Sequence, residues 1–165
     1  MPGERLVADP EARLQHARDL AWSALNRREH TTAQMRQVLE RKRVEPELVR
    51  AVVDELVAGG WLDDAGYARR FAEDRRHLDG WGSERIERRL RALGVDAATV
   101  AEAVGARPAG AEAEAALELL RRRFPVPPAD ARERNRALGV LVRKGYELEL
   151  ALEALRRHCG ASEFD

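Results

Sequence analysis

The chain has 165 residues, with 29 basic against 29 acidic side chains, 35% charged residues and 5% aromatics. So much charge with so few aromatic or β-branched runs favours exposed helices over sheets, in one globular domain or a short array of small modules. A formal net charge of zero argues against a purely electrostatic nucleic-acid binder. No run approaches the roughly 18 apolar residues of a membrane span, and the single Cys159 excludes a disulfide framework and fits a reducing cytoplasm.

Residues 1–9 have no hydrophobic period and are expected to be disordered. From Pro10 to about Arg28 the apolar positions Leu14, Ala17, Leu20, Ala21, Ala24 and Leu25 recur every three or four residues, the pattern of an amphipathic helix with Trp22 at its edge. Thr31 with Gln34 three residues on predicts a capping box before a helix carrying Met35, Val38 and Leu39. Pro46 suits the first position of a third helix striped by Val49, Val52, Val53 and Leu56, and Gly59-Gly60 stops it. Asp63-Asp64 opens a helix through Tyr67, Ala68, Phe71 and Ala72, which turns at Gly80-Trp81-Gly82. Ser83 is expected to cap the next helix, and another runs from about Asp96 to Val104. A seventh starts near Ala111 with Leu117, Leu119 and Leu120 inward. It must break at Phe124-Pro125-Val126-Pro127-Pro128. Asp130 and Glu133 restart the chain, and Leu138, Leu141, Val142, Leu150 and Leu155 are expected to face the core before a tail at 161–165.

A period underlies these elements. A shift of 51 residues takes Met35 to Ile86 and Ala137, Leu39 to Leu90 and Leu141, and Val44 to Val95 and Tyr146. The same shift takes Val49 to Val100 and Ala151, and Val53 to Val104 and Leu155, while Gly94 maps to Gly145 but back onto Arg43. Five apolar columns at one spacing mark an internal repeat. The expected fold is all-α: three tandem three-helix repeats at 10–60, 61–108 and 109–160, stacked as an elongated solenoid that suits an extended partner better than a small molecule.

No constellation points to catalysis, a cofactor or a metal. His16, His30, His77 and His158 are scattered without paired spacing. Cys159 has no basic partner motif, and neither a phosphate-cradling glycine loop nor a nucleophile elbow is present. Asp63-Asp64 is the one tempting carboxylate pair, and it reads first as a helix cap with a second acid at the dipole-positive end. The charge is unevenly spread: residues 119–144 carry eight basic side chains against two acidic. Arg85, Arg88 and Arg91 lie on the side of their helix away from Ile86 and Leu90. Two readings stand: a solvated, ion-paired face, or a surface for phosphates or an acidic groove. Trp61 and Trp81 are read as corner anchors or as exposed interface residues.

The run Gly60-Trp61-Leu62-Asp63-Asp64, Tyr67-Ala68, Gly80-Trp81-Gly82, Ile86, Leu90 and Gly94-Val95 resembles the centre of the RecX family, regulators of the RecA recombinase. The resemblance implies a non-enzymatic monomer that lies in the helical groove of the RecA–DNA filament. There it would suppress strand exchange, ATP turnover and co-protease activity in DNA repair and the SOS response. ATP would be the recombinase's ligand, and direct DNA contact would be weak. Residues expected to face the filament are Arg85, Arg88, Arg91, Arg121, Arg122, Arg123, Arg143 and Lys144. Arg41-Lys42-Arg43 departs from the family's glycine-ended first middle helix. The rival readings are a direct DNA-binding protein with helix-turn-helix-like repeats and a generic helical-repeat adaptor.

Overall fold

The computed structural model describes residues 9–160, so the expected disordered start (apart from Asp9) and the tail at 161–165 lie outside the described residues. Among these residues there are nine helices and no strand. They are α1 Pro10–Leu25, α2 Thr32–Arg41, α3 Pro46–Ala58, α4 Asp64–Asp79, α5 Ser83–Ala92, α6 Ala97–Gly105, α7 Ala111–Arg123, α8 Ala131–Lys144 and α9 Leu148–Cys159. The first helix ends three residues earlier than its periodicity suggests, in a turn over residues 26–28.

The chain divides into two compact units, which do not coincide with the repeats. The first contains residues 9–67 together with Leu93–Val95; the second contains residues 68–92 and 96–160. In unit 1 the core gathers Ala17, Ala21, Met35, Leu39, Val52, Val53, Leu56 and Leu62 from α1, α2, α3 and the turn before α4. In unit 2 a core of Ala116, Leu120, Ala137, Leu141, Tyr146, Ala151 and Leu155 joins α7, α8 and α9. The columns Met35/Ile86/Ala137 and Leu39/Leu90/Leu141 are completely buried. Each large aliphatic member is worth about 1.5–3 kcal/mol of transfer free energy. Val142, expected to face inward, is 42% exposed, because α8 turns its other side to the core through Ala137 and Leu141.

The middle helices start and stop by a device that recurs with the same period of 51. Thr31 caps α2 in the expected box, with Gln34 N donating to Thr31 Oγ1 and Thr31 N to Gln34 Oε1, both at 3.1 Å. The Thr31 hydroxyl donates to the Leu93 carbonyl at 2.6 Å, and Asp64 accepts from the Thr32 amide at 2.8 Å. Shifted by 51, the same places are Gly82, Ser83 and Lys144. The Gly82 amide donates to the Lys144 carbonyl at 2.8 Å, and the Glu84 amide to the Gly145 carbonyl at 3.0 Å. Glu112 accepts from the Ser83 amide at 2.7 Å and from the Ser83 hydroxyl. Hence a carbonyl from the end of the next middle helix meets each start, through the Thr31 hydroxyl in one copy and the Gly82 and Glu84 amides in the other. In both, one acid from the next first helix accepts an amide that a helix start leaves unpaired.

This geometry corrects one expectation and extends another. Ser83 is not the cap of α5: Gly82 is, since its carbonyl accepts the first helical bond from Ile86 and leaves Ser83 as the first helical residue. Asp63 caps α4 by accepting from the Gly66 amide at 3.0 Å, whereas Asp64 serves α2 as well as standing in the first turn of α4.

The end of each middle helix explains the missing glycine. Gly94 and Gly145 hold φ of +83° and +96°, and Arg43 holds +60° in the same place. All three sit at a left-handed helix stop; at Arg43 and Gly145 the following amide closes back five residues, Val44 to Leu39 and Tyr146 to Leu141, each at 3.1 Å. A Cβ on Gly145 would fall 2.6 Å from the Arg85 amide nitrogen, and one on Gly94 would overlap the Ala33 methyl. With its side chain exposed, Arg43 is left with only the modest left-handed strain, and a side chain is tolerated there.

His30 gives unit 1 a pH dependence. It is 6% exposed, with Nδ1 2.9 Å from the Arg28 carbonyl. Burial holds its pKa below the usual histidine value against that hydrogen bond, and the charges of Arg28 and Arg41 push it further down. The unfolded chain therefore takes up a proton near pH ~6.5 that the folded chain refuses, so stability falls as pH drops through that window. Urea midpoints measured from pH 8 to pH 5 should decline less steeply in His30→Gln than in wild type; parallel curves would contradict the assignment.

Candidate functional site

The conspicuous surface of unit 2 is built where α4 ends, α5 begins and α8 ends. Trp81 is half-buried at this corner. Phe71 meets it edge-on at 6.2 Å between ring centroids, and the Arg85 guanidinium lies 4.1 Å over its ring, a stacked cation–π geometry. Arg85 also donates to the Arg143 carbonyl at 3.3 Å, the Tyr146 hydroxyl donates to the Gly80 carbonyl at 3.2 Å, and the Lys144 ammonium donates to the Asp79 carbonyl at 2.8 Å. Lys144 thus serves the carbonyl end of α4, where a cation is favoured.

The sequence-derived basic residues separate into groups. Arg85, Arg123, Arg143 and Lys144 surround one recess of about 340 Å³, floored by Leu119 and Val140 and with no carboxylate in its lining. Arg122 turns toward a larger cavity. Arg88, Arg91 and Arg121 are exposed and line neither space; Arg91 lies 3.7 Å from Glu87 on its own helix.

The larger cavity holds about 570 Å³ between α4, the α6–α7 connection and α7. Arg69, Arg76, Arg107 and Arg122 line it together with Glu73 and Glu118. The Arg76 guanidinium donates to the Val104 carbonyl at 2.7 Å. Burial lowers its pKa, and the Arg107 charge lowers it further against Glu112 and Tyr146. Burial and Glu112 push the Tyr146 phenol up, opposed by Arg107, Arg122 and Arg76, so these three cations converge on one place. Sequence reasoning left out Arg76 and Arg107. Arg76 is one of several charged residues along α4, and Arg107 lies in a connection without period, so no local signal brings them together.

The aromatic pair of unit 1 behaves differently from Trp81. Trp61 is 62% exposed and Trp22 37%, packed edge-to-face at 4.9 Å. Trp61 is therefore not a buried corner anchor: it covers Gly59 and Trp22 on one side and meets solvent on the other. No group of three or more potential ligands for a metal ion occurs among the described residues, and no helix there is long and apolar enough to cross a membrane.

Three family models match in tandem: the first three-helix domain of RecX at residues 17–56, the second at 63–104 and the third at 111–155. The chain belongs to the RecX family. The Regulatory protein RecX of Thermobifida fusca is 35% identical over 158 residues, 93% of this chain and 84% of that protein. That of Mycobacterium avium is 32% identical over 147 residues, 87% and 85% of the two chains. The crystal structure of RecX from Lactobacillus salivarius has the same fold at a TM-score of 0.80, covering 90% of this chain and 97% of that one at 14% identity. The RecX-like residues of the second repeat mostly serve the framework. Leu62, Ala68, Ile86 and Leu90 are buried, Gly60, Gly80 and Gly94 hold positive φ, and Asp63 and Asp64 cap two different helices while Tyr67 is half-buried.

Proposed function

We propose that this RecX-family regulator binds the helical filament formed by the RecA recombinase on DNA, spans adjacent protomers, and lowers strand exchange, ATP turnover and co-protease activity. The observation that carries this reading is the recess of Arg85, Arg123, Arg143 and Lys144, four cations from α5, α7 and α8 without a facing carboxylate. Such a surface suits acidic side chains or phosphates presented along a groove. Arg88, Arg91, Arg121 and Arg122 extend the same proposed face. Tandem repeats with limits near residues 60/61 and 108/109 match a partner whose own surface repeats along an axis, and several weak contacts then act at high effective concentration. The chain works as a cytoplasmic monomer without a cofactor of its own.

The test is DNA-dependent ATP hydrolysis by the cognate recombinase on single-stranded DNA, with this protein titrated in. Inhibition at well below one molecule per recombinase protomer is the expected result. An unchanged rate together with salt-sensitive binding to bare duplex would overturn the reading in favour of a direct DNA-binding protein. Indifference to both recombinase and DNA would leave an adaptor for another protein.

A further inference from the structure

We infer that the 570 Å³ cavity of unit 2 is a binding site for one phosphate-class oxyanion, held by Arg76, Arg107, Arg122 and Arg69. The inference is independent of the filament reading, since it rests on what these side chains lack. Four guanidiniums face two carboxylates, Glu73 and Glu118, and among the described residues none of the four is ion-paired. Two donors, Arg76 Nε and Arg107 Nη1, are fully buried and have no acceptor. Burying charged donors without acceptors, and like charges together, is unfavourable, so the arrangement is complementary to something that carries negative charge and several acceptor oxygens.

The donors approach from α4, from the α6–α7 connection and from α7. Their spread around a cavity favours a tetrahedral group with oxygens in several directions over a planar carboxylate, and guanidinium forks suit phosphate oxygens. The lining also includes Trp81 and Tyr146. The phosphate belongs to a small phosphorylated molecule or to a polynucleotide backbone; the chemistry is shared.

The experiment is calorimetric titration of the full chain with inorganic pyrophosphate at ionic strength held constant with chloride, in wild type and Arg107→Gln. Arg107 sits in a connection and its buried Nη1 has no acceptor to lose, so the variant should melt no lower than wild type in the absence of ligand. Saturable binding of one pyrophosphate per chain is expected, with at least tenfold weaker binding in Arg107→Gln. A linear, non-saturating heat in wild type, or equal affinity in both proteins, would overturn the site. A short oligothymidylate that competes with pyrophosphate supports it and assigns the phosphate to a polynucleotide. Absence of competition, with pyrophosphate still bound, supports it and assigns a small phosphorylated ligand.

Discussion

Gly145→Ala is expected to destabilise the chain by roughly 3–5 kcal/mol, a large part of the ~5–15 kcal/mol typical of a domain. Three costs combine. An alanine at φ +96° carries about 1–2 kcal/mol of left-handed strain. Its methyl would lie 2.6 Å from the Arg85 amide nitrogen and 2.9 Å from its Cα, and overpacking of this kind costs about 1–3 kcal/mol. Any retreat of the turn also lengthens the bonds from the Gly82 and Glu84 amides to the Lys144 and Gly145 carbonyls, each worth about 1 kcal/mol net. The counterpart is Arg43→Gly, at the same turn of the first repeat, where the side chain is exposed. It should raise stability by about 0.5–1 kcal/mol by removing left-handed strain, less what the unfolded chain gains in freedom. Urea unfolding followed by circular dichroism reads both. If Gly145→Ala falls within 0.5 kcal/mol of wild type, the close-packed junction is not what fixes α5 against the end of α8.

Reversing Arg123 and Arg143 together to glutamate should raise the concentration needed for half-inhibition of the recombinase by about ten- to a hundredfold, each tenfold being ~1.4 kcal/mol. Both side chains are exposed, neither donates a hydrogen bond recorded for the fold, and both line the acid-free recess. The variant should therefore melt like wild type. Arg85 and Lys144 line the same recess but also hold Trp81 and the end of α4, so their replacement would mix binding with stability. Arg50→Glu, exposed on α3 of unit 1 and outside the proposed face, is the matched control and should change inhibition less than threefold. Equal losses from the recess and from Arg50 would point to unspecific charge attraction. An unchanged half-inhibition in the double variant would remove the recess from the docking face.

The linear order of residues determined the helices, the caps that act within one helix, and the repeat. Apolar periodicity and capping are local: a Thr-x-x-Gln box, a proline at the first helical position and a glycine stop act over a few residues, and they place α2, α3 and α8 where the chain has them. The 51-residue columns likewise identified Met35, Ile86, Leu90 and Leu141 as core, because burial imposes the same demand at each copy. What the repeat could not express is what one copy does to the next. Asp64 reads as belonging to its own helix, yet its carboxylate meets the amide of Thr32. Glu112 supplies the side-chain acceptor that Ser83 was expected to provide, and Arg43 stands where Gly94 and Gly145 are closely packed because its own side chain is exposed. Arg76 and Arg107, 31 positions apart, become one cationic cavity only when α4 and the α6–α7 connection are brought together. Local propensity and period act along the chain and are written there; capping in trans, close backbone approach and the convergence of like charges depend on distances that only packing creates.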